Sequence, residues 1–476
     1  MNINLVWFRN DLRVRDNTAL FKACRSKEDK IVAIYIATPK QWKSHNMSPK
    51  QSFFIYKNLL LLEKKLFLLK IPFFYFEISN FDSQILFLVE FCKKKNIHTL
   101  FYNKQYEINE IKRDQKIKKI LNSKKINMIG YHDSILISPN LIFNSNKKSY
   151  IKYTPFKNKI FSYLNKKKIR CFPVPDVRSI KEKEFSSKIF SFTYPKEKFS
   201  TKLFPIGENN AIKKLNFFLN QTTMSYSLTR NFFGMNSTSF LSPYLSIGIL
   251  SPRQCLSAIF KEKISFESVN NDKITWVEEL IWREFYKHTM NSYSLISKEK
   301  SIFHWEKEIK WNNNKKHFSL WKKGLTGYPI IDAAMRQLNQ LGWMHNRLRM
   351  ITASFLTKNL LIDWRKGAKY FMSKLIDGDF SSNIGGWQWA ASVGFDSVPY
   401  FRFFNPLIQS KKFDPNGKFI YSFIPELRKV PINFIHDLQR WREKNPNTID
   451  YPHPIVNYKL TKKEFCEKIK KAKNSF

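Results

Sequence analysis

The stretch WVEELIWREFYKH (276–288) places Trp276, Glu279, Trp282, Arg283 and Tyr286 at spacings of three, four and seven. Those spacings put all five on one face of an α-helix. A carboxylate one turn from a guanidinium suits a structural ion pair, but two indoles on the same face favour a stacking platform for bases. A second stretch, residues 342–391, carries four of the 12 tryptophans: Trp343, Trp364, Trp387 and Trp389. Trp343, Asn346, Arg347 and Met350 fall at i, i+3, i+4 and i+7, a predicted helical face suited to a flat heteroaromatic ligand. In LIDGDFSSN, Asp377 and Asp379 stand two apart in a predicted turn. Paired carboxylates can serve metal binding or glycoside hydrolysis, yet these follow Arg349 and a cation-rich helix, which favours an ion pair and a ligand hydrogen bond. Trp387 and Trp389, if helical, point roughly 200° apart and serve two surroundings. Tyr226 precedes NSTSFLSPYLSIG (236–248), where Thr238, Ser239 and Ser242 with helix N-terminal amides could hold a phosphate without a glycine-rich loop. Taken alone, that run is an N-cap cluster.

These residues need elements to hold them. INLVWF (3–8), IVAIYIA (31–37), IPFFYFEI (71–78) and HTLFYN (98–103) read as buried strands alternating with helices, and NMIGYHDSIL closes the region near 136. The pattern predicts a parallel α/β sheet, Rossmann-like in its alternation. No glycine occurs before Gly130, so a GxGxxG dinucleotide loop is excluded. A ligand here would meet side chains at strand C-termini, such as His45, Asn109 and Glu110. From 137 to 204 lysine, serine and proline dominate, which reads as an interdomain connection. Helical periodicity then runs from 205 to near 445, and a Lys-rich helix ends the chain. The expected domains are thus 1–136 (α/β), 137–204 (linker) and 205–476 (all-α).

A chain of 476 residues with 43% hydrophobic and 16% aromatic content can build a large core. The net charge of +44 permits nucleic-acid binding, although AT-rich codon usage would also enrich lysine. Five scattered cysteines form no CxxC pair, which argues for a reducing compartment. No metal-ligand spacing is present, so no metal is expected. Charge cuts the most apolar segments, around residues 59–76 and 85–91, and arginine arrives at position 9, so neither a membrane span nor a signal peptide is expected. The expectation is a cytoplasmic, soluble protein.

Four segments, LVWFRNDLRVRDN, WVEELIWREFYKH, GYPIIDAAMRQLNQLGWMHNRLRM and DGDFSSNIGGWQWAASVGFDSVPYFRFFNP, resemble the photolyase/cryptochrome flavoproteins, nearest to class I bacterial photolyases with a folate antenna. The resemblance runs from residue 5 to about 456. It implies FAD, active as FADH⁻, in the helical domain and an antenna pigment in the α/β domain. The implied FAD pocket is Tyr226, Thr238, Ser239, Phe240, Leu241, Ser242, Trp276, Arg283, Asn346, Arg349, Asp377, Gly378, Asp379 and Asn383. Asn383 would face flavin N5 and Arg349 would pair with Asp377. Trp282 and Trp389 would wall a cavity for a flipped-out cyclobutane pyrimidine dimer, with Glu279 hydrogen-bonded to the lesion and Asn346 and Met350 below it. The DNA contacts implied are Arg230, Glu279, Trp282, Arg283, Tyr286, Asn346, Arg347, Arg402 and Gln409. Trp387, Trp364 and Trp311 match an electron-transfer chain, and His45, Asn109 and Glu110 a reduced-folate site, with 5,10-methenyltetrahydrofolate the implied pigment. Phe240 stands where near relatives carry Arg, and Ser297 where they carry Cys. The implied activity is light-driven DNA repair by a monomer acting on damaged DNA. A cryptochrome-like light sensor is the alternative. Against it stand Asn383, where plant sensors carry Asp, and the lack of a long C-terminal extension. A basic DNA-binding protein without activity would not need the aligned carboxylate and indoles of 276–288.

Overall fold

The computed structural model describes residues 2–165, 169–178, 192–222, 225–260, 264–266, 269–312, 314–446 and 448–475. Five β-branched and aromatic runs form the strands β1 (Ile3–Phe8), β2 (Lys30–Ala37), β3 (Phe73–Glu77), β4 (Thr99–Asn103) and β5 (Asn127–Tyr131). All pairings are parallel, in the order β3-β2-β1-β4-β5. The strand order reverses between β1 and β4, where open sheets of this kind usually open a ligand crevice. Here that crevice is filled. Asp11 and Asn17 bond to Asn103, and Arg9 pairs with Asp114 at 2.8 Å. Arg13 pairs with Asp133 at 2.6 Å, and Arg253 binds both Asp16 and Asp133. Gly248, at φ +68°, lies so close to the Asn10 backbone that no side chain fits.

The chain divides into two compact units. One comprises Met1–Thr223, Ser239–Ser297 and Ile376–Ser381; the other comprises Met224–Thr238, Lys298–Leu375 and Ser382–Phe476. The sheet thus shares its unit with the Asn271–Ser292 helix. The second unit is built from helices, among them Pro329–Leu341, Asn346–Ser354 (prolonged by a π-turn, Phe355–Asn359), Trp364–Met372 and Tyr458–Asn474. The helix Phe380–Ala391 begins in the short third segment of the first unit.

Two local expectations are corrected. The stretch read as connection contains a helix, Tyr153–Leu164, with Tyr153, Phe156, Ile160 and Leu164 buried along one side. Its three- and four-residue spacing is helical, but Pro155 and the lysines Lys152, Lys157 and Lys159 masked it; proline is tolerated in a first turn, where its missing N–H has no partner to lose. Residues 166–168 and 179–191 of the same stretch lie outside the described residues. Trp343 does not share the face of Asn346, Arg347 and Met350, because the helix begins only at Asn346, after the His345 cap. No described helix is long and apolar enough to cross a membrane. Among the described residues no group of His, Cys, Asp and Glu could hold a metal ion, and all five cysteines are free.

Candidate active site

In the first unit, the 22-residue helix Asn271–Ser292 starts at Asn270, whose side chain accepts from the Lys273 amide. Trp276 is buried against Phe218, ring centroids 5.2 Å apart. Glu279, Trp282, Arg283 and Tyr286 are half-buried along one face, as their spacing predicts. Arg283 donates to the carbonyls of Ser134 (2.6 Å) and Leu245 (3.1 Å), so part of its guanidinium acts as a strut. On the opposite face Glu284 is fully buried and accepts from the Leu136 and Ile137 amides at 2.9–3.0 Å. Those bonds tie the helix to the loop after β5. Lys287, one turn from Arg283, pairs with Asp379 at 2.9 Å with both side chains nearly buried. The neighbouring Gly378 carbonyl accepts from Gln51 at 2.7 Å. The paired carboxylates of the sequence therefore sit in a clamped turn, with Asp379 spent on a cation.

Ser239, Phe240, Leu241 and Ser242 lead into the short helix Ser242–Ser246. Phe240 adopts φ +53°, an uncommon left-handed conformation for an aromatic residue. The Lys214 ammonium lies over its ring at 5.4 Å. A cation thus reaches this turn although position 240 carries none. Lys214 lies 26 residues upstream with no motif around it, so nothing in the sequence singles it out.

His45 and Glu110 lie beyond the C-terminal ends of β2 and β4. His45 bonds to Gln41 at 2.8 Å and has Phe81 and Phe380 within 6.5 Å. Glu110 is buried, with Oε2 lacking a hydrogen-bond partner. Burial first, and the neighbouring Glu107 second, push its carboxyl up to about 7. Asn109 is exposed. Ser297 accepts from the Ile108 amide at 3.2 Å, so it caps the Ile108–Ser123 helix where a thiol would do so poorly.

In the second unit, Asn346 and Met350 follow one another along the helix Asn346–Ser354, Asn346 exposed and Met350 half-buried. Arg347 spends Nε and Nη2 on Asn231, at 3.1 and 2.7 Å, and lies 5.0 Å over the Phe413 ring. Arg349 donates to the Met344 carbonyl at 2.8 Å. His345 Nδ1 accepts from the Arg347 amide at 3.1 Å. Burial first, then the charges of Arg347 and Arg349, lower its pKa to about 4. Asn383 donates to the Ala368 carbonyl at 3.0 Å. Tyr226 is buried beneath Arg230, 5.9 Å from its ring; Thr238 closes the segment between them and the first unit's Ser239.

The indoles part company as predicted. Trp387 is buried against Phe371 (5.0 Å) and Trp321 (6.1 Å). Trp389 is half-buried beside Phe404. Trp364 is fully buried and donates Nε1–H to Glu306 at 3.2 Å, while Trp311 is half-buried. Trp321, a buried neighbour of Trp387, went unnoticed in the sequence because it stands among lysines in KKHFSLWKK. Arg402 is exposed, its own carbonyl held at 2.9 Å by the buried Lys358. Gln409 is half-buried, with Oε1 enclosed and without a hydrogen-bond partner.

The first unit holds a parallel five-stranded sheet without a glycine-rich loop, and the second is helical. Residues 4–175 match the family model described as DNA photolyase, and residues 276–471 match the FAD binding domain of DNA photolyase. The chain belongs to the DNA photolyase family. It is 48% identical over 480 residues to a deoxyribodipyrimidine photo-lyase of Buchnera aphidicola subsp. Baizongia pistaciae, covering 100% of this chain and 99% of the relative. The corresponding enzyme of Escherichia coli (strain K12) is 44% identical over 459 residues, 96% of each chain. Among solved structures, a class III photolyase from Agrobacterium tumefaciens superposes with a TM-score of 0.84 at 28% identity, covering 100% of this chain and 98% of that one.

Proposed function

We propose that this chain is a light-driven lyase that splits cyclobutane pyrimidine dimers in DNA, with FAD as cofactor. The observation that carries the reading is the half-buried face of Glu279, Trp282, Arg283 and Tyr286, set on a helix whose other side is locked by Glu284. An open indole beside a carboxylate suits a base taken out of the stack, and a dimer stacks poorly and is cheaper to flip. Trp282 gives the lesion an apolar wall and Glu279 offers it a hydrogen bond; the resemblance implies matching roles for Trp389, Asn346 and the adaptable thioether of Met350. Arg230, Arg347, Arg402 and Gln409 address phosphates, which position the strand without reading its sequence.

The residues present fit FAD on one point of donor chemistry. The Asn383 donor is used on Ala368, so its Oδ1 is the end offered to an N–H, such as that on N5 of a reduced flavin. When bound there, FAD supplies light absorption and one-electron transfer. Tyr226, Thr238, Ser239, Leu241, Ser242, Trp276, Arg283, Asn346, Arg349, Asp377, Gly378 and Asp379 would complete its contacts, and Lys214 would add a cation near Phe240. Trp387, Trp364 and Trp311 are the indoles from which an electron would be drawn. A reduced folate is the antenna supported best. The unpartnered Glu110 Oε2 is an acceptor for a pterin amino edge, and the rings around His45 give that edge apolar company.

The experiment is to illuminate reduced, FAD-loaded protein with an oligonucleotide carrying one defined thymine dimer. Restoration of two thymines in the light and not in the dark is expected. No restoration by protein that retains FAD would refute the assignment.

A further inference from the structure

Trp282 has a partner that the site as described does not include. The ring of Tyr153 lies flat against its indole, centroids 3.7 Å apart and planes within 7°. That is van der Waals contact across a whole ring face. Tyr153 is held in turn. Its hydroxyl donates at 2.9 Å to the Glu278 carbonyl, the oxygen that the helix ladder also assigns to the Trp282 amide. Its ring meets Phe285 edge-on at 6.0 Å, and one turn further Lys157 pairs with Glu278 at 2.7 Å. Tyr153 is buried while Trp282 is half-exposed, so the stack closes one indole face and leaves the indole's open surface to a ligand.

We infer that Tyr153 is the positioning residue that sets the plane of Trp282 for a base dimer stacked upon it, an assignment that rests on Trp282 being a wall of the lesion site. Without the phenol ring the indole regains rotation about its two side-chain torsions, and binding must then order it again. Affinity for the lesion should fall. Electron transfer, flavin retention and the grip on undamaged strands should not change.

The test compares Trp282→Ala, Tyr153→Leu and Tyr153→Phe in FAD-loaded enzyme. For each, Kd is measured for a single-dimer duplex and for its undamaged twin, with KM and kcat for repair under saturating light. Tyr153→Leu should raise Kd and KM for the dimer about fivefold, as loss of one aromatic pair allows, with kcat and undamaged-DNA affinity unchanged. Tyr153→Phe, which keeps the ring, should stay within about twofold of the parent. If Tyr153→Leu fails to retain FAD, Tyr153→Met fills the same volume without a ring and takes its place. Trp282→Ala without effect on dimer preference would remove the wall assignment itself. An effect of Trp282→Ala with none from Tyr153→Leu would overturn the positioning role alone. Equal weakening toward both DNAs would make Tyr153 merely structural and overturn it too.

Discussion

The side-chain amide of Asn383 donates to the main-chain oxygen of Ala368 at 3.0 Å, and that bond decides which end of the amide faces onward. An aspartate at 383 has no proton to give Ala368 at neutral pH, so it would turn or set charge against the carbonyl, at a cost of about 1–3 kcal/mol. Asn383→Asp should therefore keep FAD but hold its reduced form poorly. Reoxidation in air, followed by recovery of the visible flavin band after photoreduction, should speed up about tenfold, equivalent to about 1.4 kcal/mol. An unchanged rate would remove Asn383 from contact with the flavin ring.

Trp387 packs so tightly over Gly367 that no side chain fits at that position. Trp387→Phe should abolish photoreduction of oxidised flavin and leave repair by chemically pre-reduced enzyme nearly intact. Trp364→Phe, which also surrenders the bond to Glu306, should act in the same way. Full-rate photoreduction in both variants would mean that the electron comes by another path.

DNA binding should weaken with salt as phosphates are neutralised. Each of Arg230→Ala, Arg347→Ala and Arg402→Ala should flatten the log–log salt slope by about one unit. Filter binding across a salt series measures this. A triple variant with the parental slope would place the binding charge elsewhere on a chain whose net charge is +44.

His345 caps its helix as a neutral imidazole, with a pKa lowered to about 4 from the ordinary 6.5. The unfolded chain binds this proton more readily than the folded one. The stability His345 contributes is thus complete above 6.5 and lost as pH falls from there toward about 4. His345 should remain unprotonated at about pH 5.5 by NMR, given a folded pKa this low. The other side chains of the HNRLRM segment offer no acid at neutral pH, so the six-four photoproduct, whose repair needs a proton donor, should remain untouched. Irradiation with oligonucleotides bearing each lesion decides the point. Turnover of the six-four substrate would contradict it.

The Glu110 carboxyl, raised to about 7 from 4.5, should destabilise the folded chain as pH rises through that interval. Glu110→Gln should remove this loss in thermal melts from pH 5 to about 8, the range that spans the raised pKa. Glu110→Ala, which removes the acceptor altogether, should lose near-ultraviolet pigment absorbance while keeping flavin-only repair. Pigment retained in full would point to a different pocket.

The sheet was legible because its strands are near-continuous β-branched and aromatic runs, the mark of burial on both faces. The face of the Asn271–Ser292 helix was legible because spacing alone fixes which side chains align. What escaped notice depended on contacts far apart in sequence. Tyr153 lies 129 positions before the Trp282 it covers, and Lys214 reaches Phe240 only through folding. Trp343 misled because periodicity cannot register a cap, and His345 starts the helix three residues later than the pattern suggests.

The charge cluster around Asp16 and Asp133 bears on how this chain can be cut. Arg253, from beyond the Lys-rich stretch, neutralises both acids of the sheet region. A fragment ending near residue 204 would keep the Arg13–Asp133 pair but strip the enclosed Asp16 carboxylate of Arg253, the cation paired with it. Losing one member of a buried ion network commonly costs about 3–5 kcal/mol, much of a domain's whole stability. The first half of the chain should therefore not behave as a detachable module. A backbone nick in the Lys-rich stretch should leave two pieces that copurify, whereas either piece made alone should misfold.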